Sequence, residues 1–178
     1  MAELITLEEV AEYLRVTKKT IYRLLEKHQI PSTKVGHQYR FDKEAVDEWL
    51  RHNSVGAAAK ILVVDDDESI CSFFKDTLEN EGHLITTATE SIKGLELAKE
   101  NDYNLVFLDL MMPGIDGAEF LKQIRTIKPE LPVTIITGYP DSALMMGALE
   151  NGPFGVMRKP FTSTDILTVV HTYLNAGK

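Results

Sequence analysis

The pattern of apolar and polar residues changes character about one third of the way along the chain. In the first part, apolar residues recur at helical spacing, as Leu7, Val10, Ala11 and Leu14 show at i, i+3, i+4 and i+7. From Lys60 onward, short unbroken apolar runs such as KILVV alternate with longer amphipathic stretches. The first pattern predicts short helices that share a small core. The second predicts strands and helices in strict alternation.

A stretch of small, uncharged residues, NSVGAAA, separates the two patterns. It has no large side chain that could anchor it, although its alanines would also suit the extension of a helix. We therefore predict a domain at 1–53, a linker at 54–59 and a second domain at 60–178.

The first domain shows the start signals of two helices in close succession. Thr6 and Glu9 form the S/T-x-x-E pattern of a capping box, and Thr17 is the next residue suited to cap a helix. Ile21 and Leu24 give the second helix an apolar side. Two short helices joined by a tight turn predict a helix-turn-helix.

A hairpin and a third helix complete the predicted first domain. The segment IPSTKVGHQYRF has a proline that ends the second helix, Gly36 for a tight turn, and flanking residues typical of strands. Asp42 is placed to cap a third helix, whose Val46 and Trp49 would close the core. The domain is thus predicted to be a small winged helix-turn-helix.

Charge separates the two domains as sharply as the apolar pattern does. Residues 1–53 hold nine Lys+Arg and nine Asp+Glu, so that part is neutral, and the whole net charge of −8 falls on the rest of the chain. Between Arg15 and Arg40, seven basic residues face one acid, Glu26. A basic segment on an otherwise acidic chain indicates binding to a polyanion, here double-stranded DNA.

The predicted recognition helix and wing supply the candidate DNA contacts. Side chains near the start of a recognition helix reach base edges, and basic residues contact phosphates. The candidates are Lys18, Lys19, Thr20, Tyr22, Arg23, Lys34, His37 and Arg40. The alternative is a solvated basic face on a domain that binds protein.

This first domain resembles the excisionase-type, MerR-like winged helix-turn-helix family over nearly its whole length. Members of that family often carry a basic residue after the wing glycine, where this chain has His37. The resemblance implies a DNA-binding domain, in either a transcription regulator or an architectural DNA-bending factor.

The second domain contains five strand–helix units, which predict an α/β fold with a doubly wound, five-stranded parallel sheet. Ligands of such sheets bind beyond the carboxyl ends of the strands. The residues predicted at those ends are Asp65, Asp66 and Asp67 after the first strand, Asp109 after the third, Thr137 after the fourth and Lys159 after the fifth.

These residues suit phosphoryl transfer. Crowded carboxylates repel one another unless a cation intervenes, and Mg²⁺ prefers oxygen ligands. We expect Asp66 and Asp109 to bind Mg²⁺ directly and Asp65 to act mainly through water. Asp109 would be the nucleophile, with Lys159 and Thr137 stabilising the transferred group. Each residue alone has a structural explanation, such as helix capping by Asp67, but together they indicate one site.

The motifs ILVVDDDESI, LVFLDLMMPGIDG, IITGYPD and MRKPF strongly resemble the response-regulator receiver family, whose fold is flavodoxin-like. The resemblance implies that Asp109 accepts phosphate from a histidine kinase. It also implies a Mg²⁺ site of Asp65, Asp66, Asp109 and the Met111 carbonyl, often with a cis bond before Pro160. The family's switch aromatic is absent, because Val156 occupies that position and Phe154 lies two residues earlier.

The leading hypothesis is a response regulator that binds DNA under the control of phosphorylation and forms a homodimer on activation. It would be no enzyme beyond its own phosphorylation and dephosphorylation. One alternative is a haloacid-dehalogenase-like phosphatase with Asp65 as nucleophile, although that family needs a further acidic cluster after the lysine. Another is a phosphorelay or protein-interaction receiver without DNA output.

The expected cellular location rests on two features that are not found in the sequence. It has neither the apolar length of a membrane span nor the basic and apolar regions of a signal peptide at its start. Its single cysteine, Cys71, forms no internal disulfide. We therefore expect a cytoplasmic protein without a membrane partner.

Overall fold

The chain divides into two compact units, Met1–Ala57 with Thr168–Lys178, and Ala58–Leu167. The structure is a computed structural model that describes residues 4–27, 29–53 and 58–176. Most of the predicted linker, 54–57, lies outside the described residues. The predicted domain boundaries therefore stay predictions, and each unit is described by itself.

The first unit contains the predicted helix-turn-helix. Helix α1 spans Leu7–Tyr13 and helix α2 spans Lys18–Glu26. The capping box is present, since the Glu9 N–H donates to Thr6 Oγ1 at 3.2 Å and the Thr6 N–H donates to Glu9 Oε2 at 2.7 Å. Thr17 caps α2 by accepting from the Thr20 N–H at 3.2 Å. These caps fix where each helix begins, which the polar–apolar pattern predicted.

The wing is part of a three-stranded antiparallel sheet. Strands β2, Thr33–Val35, and β3, Gln38–Asp42, form the predicted hairpin, with Gly36 at a φ of 62° in its turn. A further strand, β1 at Leu4–Ile5, pairs with β3 on its other side. The sheet order is β1-β3-β2, so β3 is central. The pattern had not indicated β1.

Helix α3 spans Lys43–Asn53 and follows the wing in the first unit. As predicted, Asp42 caps it, with Oδ1 accepting from the Glu44 N–H at 2.9 Å. One apolar core joins the three helices to the sheet. Its most buried members are Val10, Leu14, Ile21, Leu24, Phe41 and Val46, all 0% exposed.

From Lys60 onward, the secondary-structure elements are those of the predicted α/β fold. Five strands and five helices alternate along it: β4 Lys60–Val64, α4 Glu68–Glu79, β5 Leu84–Ala88, α5 Ser91–Glu100, β6 Leu105–Asp109, α6 Gly117–Ile127, β7 Val133–Thr137, α7 Ala143–Glu150, β8 Gly155–Arg158 and α8 Ser163–Ala176. All the strand pairs are parallel, and the sheet order is β5-β4-β6-β7-β8. The sheet is therefore five-stranded and doubly wound.

The strand order determines where a ligand can bind. The chain goes outward from β4 to β5 and then returns to the other side of β4 as β6, which makes β4 and β6 the switch point of the sheet. Strands β6 and β7 are buried along their whole lengths because helices cover both faces. The carboxyl ends of β4, β6, β7 and β8 therefore lie side by side.

Two helical glycines differ in what surrounds them. A Cβ built on Gly94 in α5 would lie 2.6 Å from Val64 Cγ1 in β4, far inside contact distance. A Cβ on Gly147 in α7 would meet Ala118 Cβ at 3.9 Å, which is ordinary contact. Gly94 thus allows α5 to pack closely on the sheet, whereas Gly147 does not serve that purpose.

Alanine at these two glycines is expected to act in opposite directions. Gly94→Ala should destabilise the protein by about 1–3 kcal/mol, because the stiff Val64 side chain has to move. The matched change Gly147→Ala should stabilise it by up to about 1 kcal/mol through helix propensity alone. Urea unfolding monitored by circular dichroism measures both, and equal effects of the two changes would contradict this packing argument.

Candidate acidic site at the carboxyl edge of the sheet

Four strand ends bring polar side chains together, as the sequence predicted. Asp65 follows β4, Asp109 ends β6, Thr137 ends β7 and Lys159 follows β8. Asp65, Asp109 and Thr137 are 0%, 5% and 1% exposed. Burial of two carboxylates at the end of an otherwise apolar sheet is costly unless they are paired or bind a cation. The arrangement therefore indicates a site.

The carboxylates are close enough to share one cation. Asp65, Asp66 and Asp109 each offer an oxygen, and these oxygens all lie within 4.8 Å of one another. Asp66 is exposed, so the cluster opens to solvent on its side. It lies in an open cleft of about 600 Å³ lined by Asp65, Asp66, Asp67, Glu68, Asp109, Met111, Gly138, Tyr139 and Lys159.

Lys159 supplies the positive charge of the cluster. Its Nζ lies 2.9 Å from Asp65 Oδ2 and 3.2 Å from Asp109 Oδ1. Burial of Lys159 favours its neutral form, but the ion pairs with Asp65 and Asp109 outweigh burial and raise its pKa. The ammonium therefore stays charged at neutral pH. It connects the end of β8 to the ends of β4 and β6, neither of which is next to β8 in the sheet.

The two oxygens of the Asp65 carboxylate have different partners. Its Oδ1 accepts from the Asp67 N–H at 3.0 Å. Oδ2 is buried and, among the described residues, accepts no hydrogen bond of regular geometry, although Lys159 is its ion-pair partner. An oxygen in that state fits a hard divalent cation such as Mg²⁺, which prefers carboxylate ligands.

Asp109 has an unusual proton affinity for a carboxylic acid. Its pKa is raised from 3.8 to about 6 as the net result of burial and the charge of Asp65, which raise it, and of Lys159, which lowers it. In the absence of a cation, the Asp109 carboxylate is therefore a strained, weakly solvated anion at neutral pH. These properties suit a nucleophile, because a bound cation would stabilise the carboxylate anion and attack on an electrophile would neutralise its charge.

The backbone of Asp109 and Leu110 leaves no space for a side chain at position 117, which is a glycine. The Gly117 N–H donates to the Leu110 carbonyl at 2.9 Å, which closes the loop between β6 and α6. A Cβ on Gly117 would lie 2.8 Å from the Asp109 carbonyl oxygen and 2.8 Å from Leu110 Cα. Asp116 caps α6 by accepting hydrogen bonds from the Ala118 and Glu119 N–H groups.

Thr137 and the following loop complete the cleft. Thr137 Oγ1 accepts from the Tyr139 N–H at 2.9 Å, and the Lys159 N–H donates to the Thr137 carbonyl at 2.8 Å. The bond between Lys159 and Pro160 is cis, as the family resemblance implied. Tyr139, 65% exposed, lines the cleft and was not predicted as a site residue. No local pattern of residues distinguishes Tyr139 from other loop residues.

Two other predicted features can be placed in the α/β fold. Val156 is partly buried and packs against the apolar core, while Phe154 is 4% exposed. Cys71 is buried, and burial together with the charge of Asp65 raises its pKa to about 11. Its thiol is therefore protonated at neutral pH, as expected of a buried structural cysteine.

The candidate DNA contacts are mostly on the surface of the first unit. Lys19, Tyr22 and Arg23 on α2 and Lys34 and His37 in the wing are exposed. Arg40 is half-buried and donates to Gln38 Oε1 at 2.6 Å.

Two predicted contacts on α2 are occupied by other interactions. Thr20 is 4% exposed, and its hydroxyl lies 3.1 Å from the Thr17 hydroxyl, so it packs inside the unit and does not face DNA. Lys18 is exposed but forms an ion pair with Glu8 at 2.8 Å. Both residues were predicted as DNA contacts from their position on the helix and their polarity. The sequence pattern did not indicate their contacts with Thr17 and Glu8.

Comparison with known proteins identifies both parts of the chain. Residues 61–171 match the response regulator receiver domain family, and residues 4–54 match a helix-turn-helix domain. The chain belongs to the response regulator receiver family. Its receiver is preceded by a helix-turn-helix domain, as the two resemblances predicted.

Relatives of this response regulator include transcriptional regulators. It is 36% identical over 119 residues to the alkaline phosphatase synthesis transcriptional regulatory protein PhoP of Bacillus subtilis, covering 67% of this chain and 50% of that protein. It is 36% identical over 105 residues to the transcriptional regulatory protein ZraR of Klebsiella oxytoca, covering 59% of this chain and 24% of that protein. The chain thus spans half or less of these relatives' lengths.

Solved structures show the same receiver fold. A CheY-like receiver domain protein from Methanospirillum hungatei is 28% identical, with a TM-score of 0.64, over 66% of this chain and 94% of that one. A receiver domain protein from Clostridium thermocellum is 35% identical, with a TM-score of 0.61, over the same shares. Membership of this family sets aside the phosphatase hypothesis, in which Asp65 was the nucleophile and Asp109 had no role.

The helices give no sign of a membrane segment. In the part of the chain that the structure describes, none is both long and apolar enough to span a bilayer.

The raised pKa of Asp109 predicts a stability gain for Asp109→Asn in the metal-free protein. The unfolded chain loses this proton near pH 3.8 and the folded protein near pH 6, so stability falls as pH rises between those values. In EDTA at pH 7.5 the variant should therefore be more stable than the wild type by about 1–3 kcal/mol, a difference that vanishes near pH 4.

Urea unfolding at the two pH values measures this difference. The exposed Asp76→Asn change is the matched control and should leave stability almost unaltered at both. A variant at Asp109 that is less stable than the wild type at pH 7.5 would show that Lys159 offsets the burial of the carboxylate completely.

Proposed function

We propose that this protein is a phosphorylation-controlled DNA-binding regulator, in which a histidine kinase transfers a phosphoryl group to Asp109. The observation that carries the proposal is the placement of Asp109 at the end of the central strand, where the Lys159 ammonium forms ion pairs with both Asp109 and Asp65. Membership of the receiver family supports the partner, and the helix-turn-helix domain supports the output.

The proposed transfer is a displacement at phosphorus. An Asp109 carboxylate oxygen attacks the phosphorus atom of a kinase phosphohistidine, an acyl phosphate forms, and the P–N bond breaks with its electrons passing to the imidazole, which takes up a proton. Lys159 balances charge on the phosphoryl oxygens as its ion pair with Asp109 loosens. The Thr137 oxygen accepts from the Tyr139 N–H, so its own O–H can donate to a phosphoryl oxygen.

Asp65, Asp66, Asp109 and the Met111 carbonyl would hold Mg²⁺. When bound, Mg²⁺ neutralises charge on the carboxylates and on the phosphoryl oxygens. Two observations support this ligand set: the buried Asp65 Oδ2 accepts no hydrogen bond of regular geometry among the described residues, and the three carboxylates lie close together. Asp65 is fully buried and Asp66 exposed, which suits one ligand fixed by the fold and one that adjusts.

The output would be binding to double-stranded DNA through α2 and the wing. Lys19, Tyr22, Arg23, Lys34 and His37 form the exposed contact set, with Arg40 at its edge and Lys18 shared with Glu8. Thr20 is not part of this set. Two copies that pair after phosphorylation would bind neighbouring half-sites together and gain affinity through effective concentration.

Activation of this protein cannot use the usual switch of the receiver family, in which an aromatic side chain follows the threonine inward. The threonine here is Thr137, and Val156 occupies the position of the aromatic residue. Val156 packs against the core and has no ring to move. We propose that the Thr137–Tyr139 segment itself responds, because the bond from the Tyr139 N–H ends on the hydroxyl that the phosphoryl group would attract. The protein is a regulator and no classical enzyme, since its chemistry acts on its own Asp109.

Phosphorylation is tested with acetyl phosphate and Mg²⁺. The wild type should gain the mass of one phosphoryl group, Asp109→Asn should gain none, and Lys159→Ala should react about 100-fold more slowly because a charge-stabilising group is lost. Lys122→Ala, an exposed lysine of α6, is the control and should react normally. A mass gain that survives in Asp109→Asn would refute the assignment of the acceptor.

DNA binding is tested by the salt dependence of affinity for a random-sequence duplex. Log affinity should fall linearly with log salt, and Arg23→Ala or Lys34→Ala should each reduce the slope by about 1, because each removes one phosphate contact. Lys122→Ala again serves as control and should leave the slope unchanged. A flat dependence in the wild type would favour the alternative of a protein-interaction receiver.

A further inference from the structure

Ser91, the first residue of α5, reaches across to the loop that follows Asp109. Its hydroxyl donates to the Pro113 carbonyl at 2.9 Å and accepts from the Ile115 N–H at 2.9 Å. The Ser91 side is buried, at 2% exposed, whereas Pro113 is exposed and Ile115 partly buried. One hydroxyl thus brackets three consecutive residues that lie 22 to 24 positions further along the chain.

The bracketed loop carries a proposed ligand of the metal. It leaves β6 at Asp109, passes through Met111 and enters α6 at Gly117. Its inner end is fixed by the Leu110 N–H, which donates to the Ile136 carbonyl at 2.9 Å, and by the Gly117 bond to Leu110. Ser91 holds its outer turn. The direction of the Met111 carbonyl therefore depends on anchors at both ends of a short loop.

Local capping does not account for Ser91. The N-cap of α5 is Glu90, and among the described residues no side chain caps this helix. Serine at a helix start usually caps its own helix. Here its donor and its acceptor are both directed at a loop of another strand–helix unit.

Gly114 fits the hydroxyl at the tip of the same turn. Its φ is 90°, a conformation that favours glycine, and a Cβ built there would lie 3.0 Å from Ser91 Oγ. The absence of a side chain at 114 lets the hydroxyl sit inside the turn, between the Pro113 carbonyl and the Ile115 amide. Ser91 and Gly114 are therefore complementary parts of one contact.

We propose that Ser91 is a positioning residue of the phosphorylation site, which holds the 111–116 loop so that the Met111 carbonyl faces the three carboxylates. The proposal rests on the proposed function, because it assumes that Mg²⁺ binds there. Partners that orient a metal's ligands from outside typically contribute about 10–100-fold in metal affinity. Loss of the hydroxyl would also remove the hydrogen-bond partner of both the Pro113 carbonyl and the Ile115 amide.

The test compares Ser91→Ala with Asn104→Ala in the full chain. Asn104 Oδ1 accepts from the Lys60 N–H at 2.8 Å at the opposite end of the sheet, so its loss removes a comparable side chain–backbone bond far from the site. Calorimetric titration with MgCl₂ alone should give an affinity about 10-fold weaker for Ser91→Ala and unchanged for Asn104→Ala. Equal affinities in the two variants would overturn the proposal.

A kinetic split separates positioning from general destabilisation. With acetyl phosphate, the half-saturating Mg²⁺ concentration of Ser91→Ala should rise about 10-fold, while the rate at saturating Mg²⁺ stays within about two-fold of the wild type. A fall in the saturated rate with no change in half-saturation would count against a role in orienting the metal's ligand.

A measurement on the wild type guards against a variant that fails to fold. Hydrogen exchange of the Ile115 amide should slow on addition of MgCl₂, because a bound ion and the Ser91 bond stabilise the same loop conformation and the coupling is reciprocal. An unchanged exchange rate in a protein that binds Mg²⁺ would overturn the proposal. A wild type that neither binds Mg²⁺ nor becomes phosphorylated would instead refute the proposed function.

Discussion

Mutual repulsion among Asp65, Asp66 and Asp109 is the constraint that shapes this molecule. A parallel sheet brings strand ends to one edge, and here that edge holds three carboxylates within 4.8 Å and one ammonium. One positive charge does not balance three negative ones, so the edge retains a strong negative potential that attracts a divalent cation. The apolar sheet behind it cannot relax to separate the charges, because its strands are buried and close-packed.

The surrounding loops hold the charged groups of this edge in defined positions. Asp67 caps α4 and its N–H orients Asp65, while Gly117 lets α6 begin directly against the Asp109 backbone. Lys159 is tied by its own N–H to the Thr137 carbonyl, so the groups of β7 and β8 shift together. The site is thus built from backbone contacts between neighbouring loops as much as from its charged side chains.

The parts predicted from sequence are those with strong local signals. Unbroken apolar runs ending in Asp, Thr or Lys predicted the strand ends, because a parallel sheet buries both faces of each strand. Strand β1 was missed since two residues are too few to show a period. The burial of Thr20 was missed because capping geometry, and not charge, directs its side chain inward. Ser91 depends on a contact across more than twenty residues, which no local pattern reveals.

The raised pKa of Asp109 has a consequence for the lifetime of the protein. Without a cation, ionisation of the buried Asp109 carboxylate lowers the free energy of unfolding at neutral pH. A larger fraction of chains is then transiently unfolded and open to proteases. Any cation that occupies the edge adds to stability in proportion to the logarithm of its concentration over its dissociation constant. Binding of a divalent cation there would therefore tie turnover of the chain to the divalent ion content of its surroundings, independently of any signal that it transmits.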